Sequence, residues 1–351
     1  MSWASGAVSA PVVVPKLQGL PTVVAVAVAT GRLTSNTTVP RTPVVLGADG
    51  LPQQLQAIDA LVQYQQDIPP SLGAVLPLPP ATGVRLFCRT LARSMLSYLG
   101  AGAVEVQIQP FMGRGRIGLF QPQAGTAALP GVSGYPTPTA VGTATARIVD
   151  VSGYFVRLRR LGYVSAATAG SLTGSRVPIG LVTLGTTLGG VRVGGFHKVI
   201  QFGCSDAATV AGARQFVGVA VAAAPTNVEP STLTNVIGVG HGAADATLSL
   251  YFGGTTAQAP VALGASFPAN TLSVDAYELS LYCAAGSTVV TWQVTRMNTG
   301  AVASGTLSDA TGVVLPSAAT LLSPHHAWRC NNATALAVGL DVVSDYFETE
   351  C

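Results

Sequence analysis

From about Ala146 to the end of the chain, apolar and polar residues alternate in short runs separated by Gly, Ser, Asn and Pro, the two-residue period of half-buried β-strands. The pattern predicts strands at Arg147 to Val151, Tyr154 to Leu158, His197 to Phe202, Gln215 to Val221, Val236 to Gly240, Thr247 to Phe252, Tyr277 to Cys283, Val289 to Arg296, Ala301 to Leu307 and Ala335 to Val343. Val289 to Leu307 is the clearest hairpin. Val290, Trp292 and Val294 alternate with polar neighbours, Asn298-Thr299-Gly300 supplies the turn, and Val302 lies on the return strand.

Before Ala146 the pattern is mixed. Prolines at 11, 15, 21, 40 and 43 remove backbone donors from the first 50 residues, which excludes a long helix and predicts an extended arm laid against another surface. Leu55, Ile58, Leu61 and Val62 recur at helical spacing, so Leu51 to Ile68 reads as a helix ended by Pro69-Pro70. Val84 to Leu99 reads as a second helix, on which Arg85, Arg89 and Arg93 share one face, either a basic stripe or a solvated surface. Val104 to Gln109 alternates as a strand with Arg116 to Phe120 as its hairpin partner, and Gln121 to Thr145 is a linker or one long loop.

About a dozen strands exceed what one jelly roll of about eight needs, which predicts two β-domains in series with a break between about Ala222 and Thr234. The expected fold is mainly β. An extended arm (1–50) precedes a jelly-roll-like shell domain (51–225) with one or two short helices near its start, and a C-terminal, protruding β-sandwich domain (226–351) follows.

Composition adds a need for partners. Only 9% of the residues are charged while 48% are hydrophobic, and the mean hydropathy is +0.47, against about 25% charged residues in ordinary soluble domains. A bilayer-spanning helix takes about 20 apolar residues, and Val23 to Ala29 is far shorter, so membrane insertion is not expected. Pro21 and the Val/Ala alternation also argue against a signal peptide. The charges are sorted along the chain. Residues 1–200 hold 15 Lys and Arg against 5 Asp and Glu, a net of +10, whereas residues 201–351 hold 3 against 10, a net of −7. Either the two parts face different surroundings or composition drifts between domains.

No motif carries catalysis. Gly113-Arg114-Gly115-Arg116-Ile117-Gly118 fits G-x-G-x-x-G, but Leu119 to Pro122 continues as strand and turn where a dinucleotide fold needs a helix, so a hairpin turn bearing two arginines fits better. Gly203-Cys204-Ser205-Asp206-Ala207 lacks the final glycine of a nucleophile elbow. His325 and His326 would point to opposite faces of a strand, and His241 with Asp245 reads as a hydrogen-bonded loop rather than a metal site. The carboxylate pairs Asp275/Glu278 and Asp341/Asp345 read as solvated strand ends rather than a glycosidase pair held about 5 to 9.5 Å apart. The five cysteines, Cys88, Cys204, Cys283, Cys330 and Cys351, include no C-x-x-C pair and suit small buried hydrophobes. No cofactor or metal is implied.

Val104-Glu105-Val106-Gln107-Ile108-Gln109-Pro110 followed by Gly115-Arg116-Ile117-Gly118-Leu119-Phe120-Gln121-Pro122 resembles the early strands of a jelly-roll coat protein from a small icosahedral virus. The layout of a Pro- and Thr-rich arm, a domain of short strands and a further β-domain is similar too. The resemblance implies a structural virion protein with no catalytic residues, made in the host cytoplasm, whose partners are many copies of itself in a shell. Such arms are often strongly basic, and residues 1–50 here hold only Lys16, Arg32 and Arg41, which puts genome binding by the arm in doubt.

On this reading the arginine-bearing part forms the shell and the acidic part faces outward. Arg85, Arg89, Arg93, Arg114, Arg116, Arg157, Arg159 and Arg160 become candidates for contact with a neighbouring subunit or, weakly and without sequence specificity, with enclosed viral nucleic acid. The alternative is a virion appendage such as a phage tail fibre, meeting a host surface through Tyr277, Tyr282, Trp292 and Trp328, residues equally suited to a core. A glycan depolymerase ranks third.

Overall fold

The structure is a computed structural model that describes residues 26–29, 32–35, 44–46, 52–54, 84–91, 93–100, 105–107, 116–122, 130–134 and 136–349. The chain divides into two compact units, Met1–Asp67 and Ile68–Cys351. In the first, β1 (Val26–Ala29) pairs with β2 (Arg32–Ser35), and β3 (Val44–Leu46) with β4 (Pro52–Gln54), both antiparallel. The start of the expected helix at Leu51 to Ile68 is therefore extended chain, and its remainder lies outside the described residues, as does most of the expected arm.

The expected second helix is a hairpin. β5 (Val84–Leu91) pairs with β6 (Arg93–Gly100), and β6 with β7 (Glu105–Gln107). A spacing of four is close to one helical turn and is also two full strand periods, so it does not by itself separate a helix from a strand. Arg93 lies across the ladder, opposite Leu91.

The rest of the second unit is β-sandwich. In chain order come β8 (Arg116–Pro122), β9 (Pro130–Ser133), β10 (Thr139–Val141), β11 (Thr143–Ala146), the single helical turn α1 (Tyr154–Arg157), β12 (Leu161–Val164), β13 (Leu172–Arg176), β14 (Thr186–Leu188), β15 (Val191–Val193) and β16 (Phe196–Cys204). Then follow β17 (Arg214–Ala220), β18 (Val236–His241), β19 (Ser249–Gly253), β20 (Val261–Ala262), β21 (Tyr277–Cys283), β22 (Val289–Arg296), β23 (Ala301–Ser308), β24 (Ser323–Cys330) and β25 (Gly339–Thr349).

One antiparallel sheet runs β10-β13-β24-β17-β18-β19-β20. The other runs β11-β12-β25-β16-β21-β22-β23, with β8 on β25 and β9 on β8. Val217, Val219, Ile237, Val239, Leu250 and Ala327 of the first sheet form one buried cluster with Phe120, Tyr163, Ile200, Phe202, Leu279, Leu281, Trp292 and Phe347 of the second. At about 25 cal/mol per Å² of apolar surface, this shared interior is the main favourable term holding the sheets together. On its other face the first sheet buries Phe216, Ala220, Val236, Tyr251, Trp328 and Cys330.

Several expectations are corrected. There is no domain break between Ala222 and Thr234, because β17 pairs with both β18 and β24, and β16 with both β21 and β25. One sandwich with two large sheets absorbs all these strands. β8 pairs with β25 and β9 rather than with β7. Arg147 to Val151 is not a strand, and Tyr154 to Leu158 is a helical turn: the Ser152 amide donates to Asp150 Oδ1 (3.0 Å), the Arg157 amide to the Gly153 carbonyl (3.2 Å), and Phe155 anchors the turn with no exposed surface. Runs this short carry too little periodicity to separate strand from turn. The hairpin β22-β23 is as expected, with Trp292 opposite Gly305.

Candidate functional site

Among the described residues the interior holds several clusters of buried charge, an unusual use of the few ionisable groups in a chain this apolar. Three of them are built on fully buried carboxylates or cations from the central strands. The first joins the sheets. Asp345 lies on β25 directly opposite Ile200 of β16, so Lys198, two residues along, projects on the same side as Asp345. Lys198 Nζ bonds one carboxylate oxygen of Asp345, and His325 Nδ1, from β24 of the facing sheet, bonds the other. His325 Nε2 lies 2.8 Å from Ser175 Oγ on β13, and the four side chains have no exposed surface. Burial pushes both the Lys198 ammonium and the His325 imidazolium down from their ordinary values, against the pull of Asp345.

Ser175, His325 and Asp345 have the connectivity of a nucleophile, a base and its orienting acid. Complete burial leaves the serine hydroxyl without a face for a substrate, so the arrangement clamps the sheets together rather than forming a hydrolytic site.

The second cluster centres on Arg329 of β24. Its Nε and NH2 donate to Asp206 (2.5 to 3.1 Å), NH2 also to Asn270 (2.6 Å), and NH1 to Gln215 (3.2 Å) and His241 Nε2 (2.7 Å). A guanidinium can only donate, so His241 accepts at Nε2 and donates from Nδ1 to the Gly242 carbonyl (3.1 Å). Burial, then the neighbouring Arg329 charge, push the His241 pKa down to about 3. In the third cluster Asp341 accepts from Arg160 Nε (2.9 Å), from Arg147 Nε (3.0 Å) and from Ser205 Oγ (2.5 Å).

Two of these clusters join the basic and acidic parts of the chain. Arg147, Arg160 and Lys198 from the basic part meet Asp341 and Asp345 from the acidic part inside one sandwich, so the two parts do not face separate surroundings. Asp341 and Asp345 are buried ion-pair members, not solvated strand ends.

Of the proposed contact arginines, Arg116, Arg157 and Arg159 are exposed, whereas Arg160 is buried against Asp341 with its guanidinium 5.1 Å from the centre of the Phe155 ring. Arg85, Arg89 and Arg93 lie on β5 and β6, and Arg114 lies outside the described residues. The proposed surface aromatics are corrected. Tyr277, Trp292 and Trp328 are 2%, 5% and 1% exposed and belong to the core, because alternation places them on packed faces, and only Tyr282 is half-buried. Among the described residues, no group of three or more His, Cys, Asp and Glu side chains is placed to hold a metal ion.

Sequence patterning missed β24, whose eight residues are all buried. Pro324, two histidines and Arg329 disguise it as a loop. The register shifts there, Ala220 opposing Ser323 while Gly218 opposes His326, so Pro324 sits at a bulge where its missing amide is tolerated. Adjacent His325 and His326 do lie on opposite faces, one bonded to Asp345, the other bonded to the Ala223 carbonyl and beside Phe216.

No protein-family model matches the chain, and no curated protein matches it. Among solved structures it is similar to peanut lectin with a nine-residue peptide (11% identity, TM-score 0.44, covering 68% of this chain and 98% of that one). It is also similar to arcelin-5, a lectin-like defence protein from Phaseolus vulgaris (10%, TM-score 0.43, 68% and 99%), and to a protein of unknown function from Shewanella oneidensis MR-1 (10%, TM-score 0.40, 69% and 90%). Likeness at this level bears on neither ligand nor role.

Proposed function

We propose that this chain is a structural virion protein, a coat protein that assembles with copies of itself into a closed shell around the viral genome. The observation that carries the reading is the segment leading into α1. Ile148, Val149, Val151 and Tyr154 are 72%, 42%, 82% and 43% exposed within seven residues, and Arg157 and Arg159 are exposed just beyond them. A contiguous apolar segment of this kind on a chain with 9% charged residues suits burial against a neighbouring subunit, where few like charges oppose association. Of the candidate arginines, Arg116, Arg157 and Arg159 are exposed and available for weak contact with enclosed nucleic acid.

The appendage reading has less support, since three of its four contact aromatics are core residues. Expression of the chain followed by electron microscopy tests the proposal. Closed particles are expected, rods or trimers favour the appendage, and a monodisperse monomer under all conditions refutes assembly.

A further inference from the structure

We propose that Lys198 and Asp345 become joined by an intramolecular isopeptide bond, a covalent cross-link between β16 and β25 that the folded chain forms on its own side chains. The chain has two lysines, Lys16 and Lys198, and places the second with no exposed surface against a carboxylate in the middle of its largest apolar cluster. Ile200 and Phe347, the ladder partners of Asp345 and Lys198, both belong to that cluster, as does Phe120, whose ring centre lies 5.8 Å from that of His325. Two ions held there lose their hydration, whereas an amide carries no charge and keeps one donor and one acceptor. Among the described residues the other fully buried Lys or Arg, Arg329, is a guanidinium that stays protonated and does not acylate. Lys198 is the buried group that can become a neutral nucleophile, and its surroundings push it in that direction.

The chemistry balances with the groups present. Proton transfer from the Lys198 ammonium to the Asp345 carboxylate gives a neutral amine beside a neutral carboxyl. The Nζ lone pair attacks Cγ of Asp345 and the carbonyl π electrons move onto oxygen. His325, bonded to the other carboxyl oxygen and held from behind by Ser175, accepts a proton from the nitrogen and delivers it to the departing oxygen. The C–O bond breaks, the carbonyl re-forms, and the products are one amide and one water, with His325 neutral as it began. No oxidant, cofactor or second substrate is required, and exclusion of bulk water disfavours the reverse hydrolysis.

Intact-mass measurement of the purified, denatured full chain tests the inference. The expected mass is that of the sequence less one water, and trypsin should yield a branched peptide joining residues 193–214, uncut after Lys198, to residues 330–351. Asp345→Asn should reach the same final mass, because it loses ammonia where the wild type loses water. Lys198→Arg, with folding confirmed by circular dichroism, should retain the full sequence mass. A wild-type chain at its full mass overturns the inference. So does a deficit of one water without the branched peptide, or one that persists in Lys198→Arg.

Discussion

Arg160 donates its Nε hydrogen bond to Asp341 at 2.9 Å, joining residues 181 positions apart across the boundary between the basic and acidic parts of the chain. Both side chains are buried, and Arg147 closes on the same carboxylate from the rim with 22% of its side chain exposed. Three of the 15 cations of the basic part and two of the 10 carboxylates of the acidic part are therefore neutralised against each other inside one sandwich.

Removing the shared anion should be severe. Asp341→Ala leaves Arg160 buried and unpaired, with an expected loss of about 3–5 kcal/mol in urea unfolding, whereas Arg147→Ala, at the partly wetted edge, should cost distinctly less. Equal costs would contradict the burial gradient around Asp341.

Acid should destabilise the fold through its neutral histidines. His241 is held down to about 3 and His326 down to about 4, both chiefly by burial, against 6.5 for an unperturbed histidine. Between those values the unfolded chain binds more protons than the folded one, so stability rises with pH and is lost as pH falls below 6.5, at about 1.4 kcal/mol per pH unit for each group. Thermal unfolding followed from pH 7 to pH 5 should show this slope, and His241→Gln with His326→Gln should flatten it.

Trp292 should behave as core. Trp292→Ala is expected to lose about 3–5 kcal/mol in chemical denaturation, since the indole is 5% exposed and packs over Gly305. A host-contact role would instead leave stability unchanged and alter binding to a cell surface.

The apolar segment before α1 should act on assembly alone. Ile148→Asp combined with Val151→Asp, at side chains 72% and 82% exposed, should change monomer stability by no more than about 0.5 kcal/mol per site. Sedimentation velocity should show the loss of large particles. Normal particles from this variant would remove the segment from the subunit contact.

Legibility in the sequence followed local order. β21 and β22 begin and end where strict alternation places them, at Tyr277–Cys283 and Val289–Arg296. β5 was misread because spacing by four suits two periods, and β24 because a proline, two histidines and an arginine hide a central strand. The buried charge clusters were illegible for another reason. Ser175, Lys198, His325 and Asp345 share no motif, and each has ordinary neighbours in sequence.

By itself the sequence determined the β character, the terminal hairpin of the large sheet and the scarcity of charge, because alternation, turn residues and composition act over a few neighbouring positions. Only the tertiary structure decided that one sandwich takes up strands from both parts, that the sorted charges meet in its interior, and which aromatics are core. Strand pairing joins segments through backbone hydrogen bonds that carry little residue identity. The partner of a lysine at position 198 therefore becomes an aspartate at 345 only when β25 lies down beside β16.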